Sequence, residues 1–477
     1  MPRPGSADHP LRVGVIGSGP AAFYVVEHLF RAKELSVRVD MFERLPMPFG
    51  LVRYGVAPDH EKIKSVIRVY ERLAERPEFR FFGNVEVGRH VTVDELAARY
   101  HALCFATGAQ TDRAMGIPGE ELSGSHAATE FVAWYNGHPD FVDRTFDLSA
   151  ERVAVVGVGN VAVDVARILC RTSEELARTD IAEYALEALR RSAVREVYIL
   201  GRRGPLQAAF TNAEVKELGE LEAAGVRVLP NEVVLDPLSR EDLERSDDRA
   251  QRKKVEILQG FAGRRVADKP RTLTLRFLAS PTALVGVDGQ VRSMRIVQNE
   301  LYRTGDGTLR PRATARVEEL PVDLVFRSVG YRGVAIPGLP FDERHGIVPN
   351  DGGRVMEAGT AVPGLYVAGW IKRGPSGVIG TNKPDAGETV AALLEDIGSG
   401  RSLSLEGGAS DDAVLGLLAQ RQAAWISYRD WKRLDAVERE RGEAQGRSRA
   451  KLTSAADVAA VLGRDTRRGT TALPPAR

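Results

Sequence analysis

The chain has 477 residues, and its 66 Lys and Arg residues nearly balance its 65 Asp and Glu residues, so the formal net charge is +1. The length suggests two or three domains of roughly 150 residues each, and a hydrophobic fraction of 43% is enough to form their cores. The balanced charge lacks the main signature of a dedicated nucleic-acid-binding protein. Cys104 and Cys170 are too few for a four-thiolate metal site and too distant for a C-x-x-C redox pair. We expect both to be small buried hydrophobic residues, so redox chemistry would need a bound cofactor.

No run of about 18 apolar residues occurs, so the sequence predicts no membrane-spanning helix. Residues 1–10 are polar and lack the apolar centre of a signal peptide. We therefore expect a cytoplasmic protein that binds neither nucleic acid nor a membrane. The last dozen residues, which are rich in Arg, Thr and Pro, are predicted to be disordered.

The first 110 residues follow the pattern of a βαβ unit with additional elements. Short apolar runs that end at a glycine or an acid are typical of buried parallel strands, and apolar residues at helical spacing indicate helices. Strands are predicted for residues 11–16, 37–42, 79–82 and 102–106, helices for 21–32 and 61–76, and an irregular Pro- and Gly-rich loop for 44–60.

A second unit of the same kind begins at residue 152. Its strands are predicted for residues 153–156, 196–200, 272–278, 291–298 and 322–328, and its helices for 161–170, 173–192 and the charged, exposed stretch 239–254. Between residues 226 and 325 we expect short alternating strands. The chain then predicts a strand over 364–369, a Gly-rich turn, a helix over 385–397, and two or three helices within 410–463.

The first strand leads into the G-x-G-x-x-A pattern of a dinucleotide-binding turn, which is formed by Gly17, Ser18, Gly19, Pro20, Ala21 and Ala22. Gly17 permits the tight turn, Gly19 lets the backbone approach a pyrophosphate, and Ala22 lets the helix pack closely on the strand. Glu43 ends the next strand, where a carboxylate binds a ribose diol and repels a 2′-phosphate. This turn is predicted to hold FAD or NAD. The alternative is an ordinary strand–turn–helix that needs glycine only for its geometry.

The strand over 153–156 leads into a second turn of this type, formed by Gly157, Val158, Gly159, Asn160, Val161 and Ala162. The strand after it is followed by Arg202 and Arg203 and offers no acid. Because guanidinium groups suit a phosphate monoester, this turn is predicted to bind NADP. The alternative is that both arginines are solvated surface charges.

A site for FAD and a site for NADP in one chain are typical of a flavoprotein that takes hydride from NADPH. The alternative from another class is a dinucleotide-binding sensor or structural subunit without turnover. A yellow preparation that NADPH bleaches would favour the enzyme, whereas a colourless protein that binds only nucleotide would favour the sensor.

Four short segments carry a more specific resemblance. Residues 48–60 read PFGLVRYGVAPDH, residues 201–214 read GRRGPLQAAFTNAE, residues 327–333 read RSVGYRG, and residues 369–383 read GWIKRGPSGVIGTNK. In this order they closely resemble the adrenodoxin reductase family, and within it the bacterial, actinobacterial-type NADPH–ferredoxin reductases. The resemblance extends from about residue 11 to about residue 463.

The resemblance implies an α/β fold of the glutathione-reductase type with two Rossmann-type domains. A discontinuous FAD-binding domain would comprise residues 11–110 and 330–477, and an NADP-binding domain would be inserted at 111–329. The implied reaction is the reduction of FAD by NADPH, followed by transfer of single electrons to a ferredoxin. A monomer without a metal site is expected.

Site residues follow from the same resemblance, position by position. For FAD it implies contacts from Gly17, Gly19, Pro20, Ala21, Ala22, Glu43, Leu51, Val85, Trp370, Gly377, Val378 and Ile379. For NADP it implies contacts from Arg113, Val158, Gly159, Asn160, Val161, Arg202, Arg203, Glu214 and Gly377. A helix that starts near Gly377 could point N–H groups at the flavin ring, where the reduced form carries negative charge.

His60 and Glu214 match a pair that the family places near the nicotinamide, and they are the predicted catalytic residues. Hydride transfer to a flavin needs no side-chain base, so both are interpreted as positioning and proton-relay candidates. The alternative for His60 is a satisfied loop histidine. For Glu214 the alternative is an acid that stabilises a helix N-terminus.

Ferredoxins are usually acidic, so we expect a basic docking surface. Candidates are Arg249, Arg252, Lys253, Lys254, Arg264 and Arg265, although a solvated charged face is the favoured reading. Disulfide reductases and the small subunit of glutamate synthase need cysteines that the chain lacks. A general NAD(P)H-dependent diaphorase stays open, because the acceptor leaves no motif.

Overall fold

The computed structural model describes residues 4–405, 412–421 and 424–464, so the predicted disorder of the last dozen residues lies outside the described part. The N-terminal segment contains strands and helices in the predicted order. Its elements are β1 (Leu11–Ile16), α1 (Pro20–Arg31), β2 (Val37–Glu43), α2 (Leu51–Tyr54), α3 (Glu61–Lys64), α4 (Ile67–Ala74), β3 (Phe79–Gly83), α5 (Val93–Ala97) and β4 (Ala102–Phe105).

The middle of the chain carries the second unit and a set of longer strands. Its elements are β5 (Thr111–Asp112), β6 (Ser125–Ala127), α6 (Ala128–Tyr135), β7 (Arg152–Val156), α7 (Asn160–Cys170), α8 (Ser173–Leu176), α9 (Glu183–Arg190), β8 (Glu196–Leu200), α10 (Asn212–Leu218), β9 (Ala224–Val228), α11 (Pro237–Arg245), α12 (Arg249–Ala262), β10 (Arg271–Arg276), β11 (Ala279–Val287), β12 (Gln290–Arg303), β13 (Leu309–Pro321) and β14 (Leu324–Arg327).

The C-terminal part returns to the first unit and ends in helices. Its elements are β15 (Tyr331–Arg332), β16 (Asn350–Asp351), β17 (Arg354–Glu357), β18 (Thr360–Val367), α13 (Trp370–Arg373), α14 (Asn382–Gly398), α15 (Asp412–Gln420), α16 (Tyr428–Glu443) and α17 (Ala455–Leu462).

Two distant parts of the chain build the first sheet, whose seven strands have the order β16-β17-β18-β4-β1-β2-β3. Strands β18, β4, β1, β2 and β3 run parallel, with Leu11 opposite Val37 and Leu103 opposite Leu365. All six residues of β1 are buried, which explains why it is apolar apart from Arg12. Helix α1, which follows β1, packs against α14, which follows β18. Two elements from distant parts of the chain therefore meet beside this sheet.

The second sheet has six parallel strands in the order β6-β14-β7-β8-β10-β9. All of them come from residues 125–327, between the two parts that build the first sheet. The α/β class with two dinucleotide-binding units is thereby confirmed. The exact domain limits stay a prediction. Strands β5 and β15 lie at the two predicted limits, near residues 111 and 330, and they pair with each other rather than with either large sheet.

Some sequence expectations need correction. The loop predicted for 44–60 contains the helix α2, which follows the tight turn at Gly50. The expectation of short strands between 226 and 325 is wrong for β12 and β13, which have 14 and 13 residues and form an antiparallel sheet with β11. The stretch 239–254 is divided between α11 and α12, because Asp248 caps the second helix. By contrast, the strands predicted for 11–16 and 196–200 are confirmed residue for residue.

Both cysteines are free and fully buried, as predicted. Burial raises the pKa of the Cys104 thiol to about 12, and it does the same for Cys170. Such thiols are inert, because the thiolate is the reactive form. Among the described helices, none combines the length and apolar character that crossing a membrane requires.

Candidate functional site

The turn after β1 has the shape of a phosphate cradle. Gly17 has φ 101°, and a Cβ at this position would lie 2.5 Å from the carbonyl oxygen of Ala106. Gly19 precedes the first turn of α1, and a Cβ there would meet no atom within 4 Å. The space beside Gly19 is therefore open at a helix N-terminus, which is the space that a pyrophosphate needs. Pro20 begins the helix and Ala22 is fully buried against the sheet.

The segment after β2 crosses this cradle. The Phe49 backbone N–H donates to the carbonyl oxygen of Ser18 over 3.1 Å. A Cβ on Gly50 would lie 2.8 Å from Cα of Gly19, so the two chain segments touch. Leu51 follows directly and is 38% exposed. The structure thus places Leu51 beside the cradle, where the family resemblance implies a contact with FAD.

Glu43 lies next to the same turn. Its Oε2 accepts hydrogen bonds from the Ser18 backbone N–H (3.0 Å) and hydroxyl (2.6 Å), and its Oε1 accepts one from the Leu45 N–H (2.9 Å). The Val85 N–H donates to the Glu43 carbonyl oxygen, and Val85 is buried. Glu43 and Val85 therefore meet at the end of β2, and the predicted binding of a ribose by Glu43 stays a prediction.

The turn after β18 closes on the first cradle from the other side. Gly369 has φ 79°, and a Cβ there would lie 2.5 Å from Cβ of Ala21. Trp370 donates its indole N–H to the Ser376 carbonyl oxygen (3.1 Å), and its ring centroid lies 5.5 Å from that of Tyr331. A 3₁₀ turn, Ile379–Thr381, follows Gly377 and Val378 and leads directly into α14. Helix α14 thus begins at Asn382, close to the start predicted at residue 385, and its position next to a flavin stays a prediction.

Asp385 is a residue of this region that sequence reasoning missed. Its Oδ2 accepts a hydrogen bond from the Gly369 backbone N–H over 2.6 Å. Its Oδ1 lies 3.3 Å from Nζ of Lys372 and 3.4 Å from Nε of Arg373. Asp385 therefore holds the turn after β18 in place. The available signal was an acid in the first turn of the helix that follows a Gly-rich segment.

The second cradle repeats the geometry of the first. Gly157 has φ 137°, and a Cβ there would lie 2.2 Å from the carbonyl oxygen of Ser328. Gly159 precedes α7, and again a Cβ would meet no atom within 4 Å. Asn160 begins the helix, and its Oδ1 accepts a hydrogen bond from the Thr211 N–H over 2.9 Å. Two turns with open space beside the second glycine fit two dinucleotides. Val158 and Val161 flank this second turn and pack against the core.

The arginines predicted to bind a 2′-phosphate follow β8 directly. Arg202 is exposed and Arg203 is half-buried. Neither guanidinium group forms an ion pair with another residue of the described ranges. Burial lowers the pKa of Arg203, and the positive charges of Arg202 and Arg310 lower it further. Arg113 is also exposed, and its backbone N–H donates to the Gly330 carbonyl oxygen over 3.0 Å, near the second cradle.

His60 and Glu214 come together between the two units. Nε2 of His60 lies 3.7 Å from Oε2 of Glu214 and 3.1 Å from Oε2 of Glu217. Thr211 caps helix α10 by accepting from the Glu214 N–H, so Glu214 is held in the first turn. The structure therefore brings the predicted pair into proximity, and the sequence missed Glu217. The roles of these residues stay a prediction.

Arg167, which the sequence analysis missed, is the centre of this cluster. Its side chain is fully buried. The guanidinium donates to Asp59 through Nε (2.7 Å), to Asp164 through Nη2 (2.7 Å) and to Glu214 through Nη1 (3.0 Å). Asp164 and Arg167 are the two charged residues of the otherwise apolar helix α7, three positions apart. That pattern was the available signal.

The charges of the cluster shift each other's protonation. Burial alone would raise the pKa of Asp59, but Arg167 and Arg171 outweigh it and hold the pKa well below its usual range. Burial raises the pKa of Asp164 to about 7 despite the opposing charge of Arg167. Perturbed carboxyl groups that lie between the two units are typical of a functional site.

His60, Glu214 and Glu217 place one nitrogen and two carboxylate oxygens within 4.8 Å of one another. Such a set could bind a cation. The Arg167 guanidinium already supplies one, because Nη1 lies 3.0 Å from Glu214 and 3.7 Å from Glu217. The cluster is therefore better described as an arginine–carboxylate–histidine network.

The predicted basic docking candidates have uneven surroundings. Arg252 donates to the carbonyl oxygens of Leu243 (3.0 Å) and Ser246 (2.8 Å), which ties α12 to the end of α11. Lys254 donates to the Ala208 carbonyl oxygen, and Lys253 pairs with Glu256. The guanidinium of Arg264 lies over the ring of Phe261. Most of these cations thus have local structural contacts, and none is assigned to a docking surface.

Comparison with known proteins agrees with this geometry. Residues 11–312 match the pyridine nucleotide-disulphide oxidoreductase family. NADPH-ferredoxin reductase FprA of Mycobacterium tuberculosis is 47% identical over 458 residues, which cover 94% of this chain and 98% of that protein. The mitochondrial NADPH:adrenodoxin oxidoreductase of Arabidopsis thaliana is 39% identical, over 96% of each chain.

A solved structure of Mycobacterium tuberculosis FprA in complex with NADPH is similar over 95% of this chain and 99% of that one. Its TM-score is 0.89 at 46% sequence identity. The relatives match along almost the whole chain. The chain therefore belongs to the pyridine nucleotide-disulphide oxidoreductases and, within them, to the adrenodoxin reductase family.

Proposed function

We propose that this protein is a ferredoxin–NADP reductase. The redox chemistry would be supplied by bound FAD, as acceptance of a hydride from NADPH and release of the two electrons singly to a ferredoxin. The observation that carries this function is the pair of cradles, each with open space beside its second glycine. The relatives named as NADPH–ferredoxin reductases support the ferredoxin-type acceptor. The rivals are a general NAD(P)H-dependent diaphorase and a non-catalytic sensor.

The first cradle would hold FAD. Gly19 leaves room for the pyrophosphate, and the N-terminus of α1 offers it backbone N–H groups. The carboxylate of Glu43 would bind the ribose. Trp370 and the turn from Gly377 to Ile379 would lie against the flavin ring. Trp370 follows Gly369, which contacts Ala21 of the first cradle, and the turn leads into α14, which packs beside α1.

The second cradle would hold NADP(H). Gly159 leaves room for its pyrophosphate, and Asn160 is fixed at the helix start by its hydrogen bond to Thr211. Arg202 and Arg203 would bind the 2′-phosphate, since both lack an ion-pair partner among the described residues. Arg113 lies close to Gly330 and would contact the same nucleotide.

The network around Arg167 would position the reacting groups. Arg167 holds Asp59, Asp164 and Glu214 at fixed distances, and Asp59 directly precedes His60. His60 can exchange a proton with Glu217 at Nε2, because the two atoms lie 3.1 Å apart, whereas Oε2 of Glu214 lies 3.7 Å away, beyond hydrogen-bond distance. The chain itself thus provides orientation and a short proton path rather than a redox group.

The proposed domain arrangement is a discontinuous FAD-binding domain at 11–110 and 330–477 with an inserted NADP-binding domain at 111–329. The separate origin of the two large sheets supports it. A monomer in the cytoplasm is also proposed, and gel filtration together with cell fractionation tests both properties.

Spectroscopy of the purified protein tests the proposed function. We expect the absorption of oxidised flavin, and we expect NADPH to bleach it without oxygen. A protein that binds nucleotide but carries no flavin would overturn the assignment in favour of the sensor.

Replacing Arg202 and Arg203 together by Ala should raise the KM for NADPH far more than the KM for NADH. An equal rise for both nucleotides would contradict their assignment to the 2′-phosphate.

A further inference from the structure

The long antiparallel hairpin of β12 and β13 carries an arginine whose charge acts on the predicted 2′-phosphate site. Arg310 is the second residue of β13 and is exposed. Its charge acts on Arg203, since Arg202 and Arg310 are the two charged groups that lower the pKa of Arg203 beyond the effect of burial. No sequence pattern connects Arg310 with Arg203, because short strands were expected in this part of the chain.

Direct hydrogen bonds fix the hairpin to the segment after β8. Nδ2 of Asn299, on β12, donates to the Arg202 carbonyl oxygen over 2.8 Å. The Leu278 N–H donates to the Arg203 carbonyl oxygen over 3.1 Å, and the Asn299 N–H donates to the Leu278 carbonyl oxygen over 2.6 Å. Asn299 is buried. The hairpin is therefore held in a defined position relative to Arg202 and Arg203.

Arg310 differs from the neighbouring arginines of the hairpin. Arg303 pairs with Asp242 over 2.7 Å, and Arg312 pairs with Glu300 over 2.6 Å. Within the described ranges, Arg310 forms no such ion pair. Asp306, the acid in the hairpin turn, already accepts hydrogen bonds from the Thr304 hydroxyl (2.5 Å) and the Thr308 N–H (3.0 Å). In the described part of the chain, no carboxylate forms an ion pair with Arg202, Arg203 or Arg310, although the charge of Arg310 also lowers the pKa of Asp306. A Cβ on Gly204 would lie 4.0 Å from Cδ1 of Leu301, and Arg310 lies opposite Tyr302 in the register of the hairpin. This end of the hairpin therefore lies beside the segment that carries Arg202 and Arg203.

Like charges repel unless an anion compensates them, so this grouping is suited to a strongly charged anion. A phosphate monoester carries a charge of about −1.5 to −2 near neutral pH and offers three oxygens. Guanidinium groups bind such oxygens with paired hydrogen bonds. A ribose hydroxyl at the same place offers no charge to compensate. The grouping therefore favours NADP(H) over NAD(H).

We propose that Arg310 is a specificity-determining residue that binds the 2′-phosphate of NADP(H) together with Arg202 and Arg203. The hairpin of β12 and β13 is then part of the nucleotide site. This inference rests on the proposed function, in which the second cradle holds NADP(H).

The test compares two variants of the full-length holoprotein, Arg310→Ala and Arg312→Ala. Both residues lie on β13 two positions apart, and Arg312 is the matched control because Glu300 binds it. Calorimetry measures the binding of 2′,5′-ADP and of 5′-AMP, which differ only in the 2′-phosphate. Arg310→Ala should weaken the binding of 2′,5′-ADP about tenfold and leave 5′-AMP within about twofold. Arg312→Ala should change neither ligand, and Arg310→Lys should restore part of the loss.

Two results would overturn the inference at different levels. If Arg310→Ala binds both ligands as the wild type does, or loses both equally, Arg310 does not contact the 2′-phosphate. If the wild type itself binds 2′,5′-ADP no better than 5′-AMP, the proposed preference for NADPH fails together with the role of Arg310. Thermal unfolding of each variant shows whether the fold is kept, which the exposure of Arg310 leads us to expect.

Discussion

Nε2 of His60 lies 3.7 Å from Oε2 of Glu214, although His60 precedes α3 beside the first sheet and Glu214 begins α10 beside the second. Arg167 contacts both, with Nη2 3.4 Å from Nδ1 of His60 and Nη1 3.0 Å from Glu214. The two cofactor-binding units therefore share one charged network. This network is the place where both nucleotides would have to meet for electrons to pass between them.

Glu214→Gln tests the predicted role of the carboxylate. The change keeps the shape of the side chain but removes the charge that Arg167 binds. We expect the rate of flavin reduction by NADPH to fall about 10²-fold, with FAD still bound, because Glu214 lies outside the first cradle. Stopped-flow absorbance measures this rate at saturating NADPH. Glu220→Gln is the control, since Glu220 is exposed and pairs with Lys216. Equal rates for both variants and the wild type would remove Glu214 from the reaction.

Arg167→Met tests the electrostatic balance of the network. Without Arg167, the carboxylates of Asp59, Asp164 and Glu214 lose their shared partner in a buried position. We expect the free energy of unfolding to fall by about 3–5 kcal/mol at pH 8. The loss should be smaller at pH 5, because Asp164, whose pKa burial raises to about 7, is protonated there and carries no charge for Arg167 to neutralise. Urea titrations at both pH values measure it.

Arg171→Met is the control for this variant. Arg171 also binds Asp59, but its side chain is 24% exposed. Its removal should therefore cost about 1 kcal/mol. A loss of the same size for both variants would show that Arg167 is no more important than a surface arginine.

Substitutions of the cradle glycines should separate cofactor binding from folding. Gly19→Ala and Gly159→Ala add a methyl group that meets no protein atom within 4 Å. We expect both variants to fold, the first with little bound FAD and the second with bound FAD but weak NADPH binding. Gly157→Ala should instead lower the thermal stability, because φ is 137° and the methyl group would lie 2.2 Å from the Ser328 oxygen. Flavin content, nucleotide titration and Tm distinguish these outcomes. Full occupancy of both cofactors in the two methyl variants would contradict the placement of the pyrophosphates.

His126 should make the fold sensitive to acid. Burial lowers the pKa of His126 to about 4, and the charges of Arg327 and Arg144 contribute. Its ring lies 4.9 Å from that of Phe146. The unfolded chain binds the proton near pH 6.5, so the stability contribution is present above pH 6.5 and is lost as the pH falls towards 4.

His126→Gln should therefore lose less stability than the wild type between pH 7 and pH 4.5. The difference should be about 1–2 kcal/mol, which allows for partial exposure to solvent. His9→Gln, at an exposed position, serves as the control and should follow the wild type. Parallel pH curves for His126→Gln and the wild type would mean that His126 titrates normally in the folded state.

The order of strands and the two cradles could be predicted because local rules determine them. The strands Leu11–Ile16 and Glu196–Leu200 are mostly apolar segments with clear ends, and glycine is required where φ is positive at Gly17 and Gly157. Motif resemblance then identified His60 and Glu214 as a pair. The same local rules explain why α2 was missed, since only four residues become helical within a Pro- and Gly-rich segment.

The remainder of the site depends on contacts between distant residues. Arg167 binds Asp59 and Glu214, and no spacing rule connects these three positions. The charge of Arg310 acts on Arg203 because the long strands β12 and β13 lie beside the segment after β8. The pKa of Asp164 is raised by burial, and the sequence does not predict that this acidic residue is buried. Tertiary packing determines all three.

A double-mixing stopped-flow experiment without oxygen tests most directly whether the protein transfers electrons from NADPH to a ferredoxin. The protein is first reduced with NADPH or with NADH, and it is then mixed with a ferredoxin of the same organism. We expect NADPH to reduce the flavin faster than NADH does. The flavin should then be reoxidised at the rate at which the ferredoxin is reduced, and two one-electron ferredoxins should be reduced per NADPH. If the reduced flavin passes electrons to quinones and dyes but to none of the ferredoxins tested, the protein is a diaphorase and not a ferredoxin–NADP reductase.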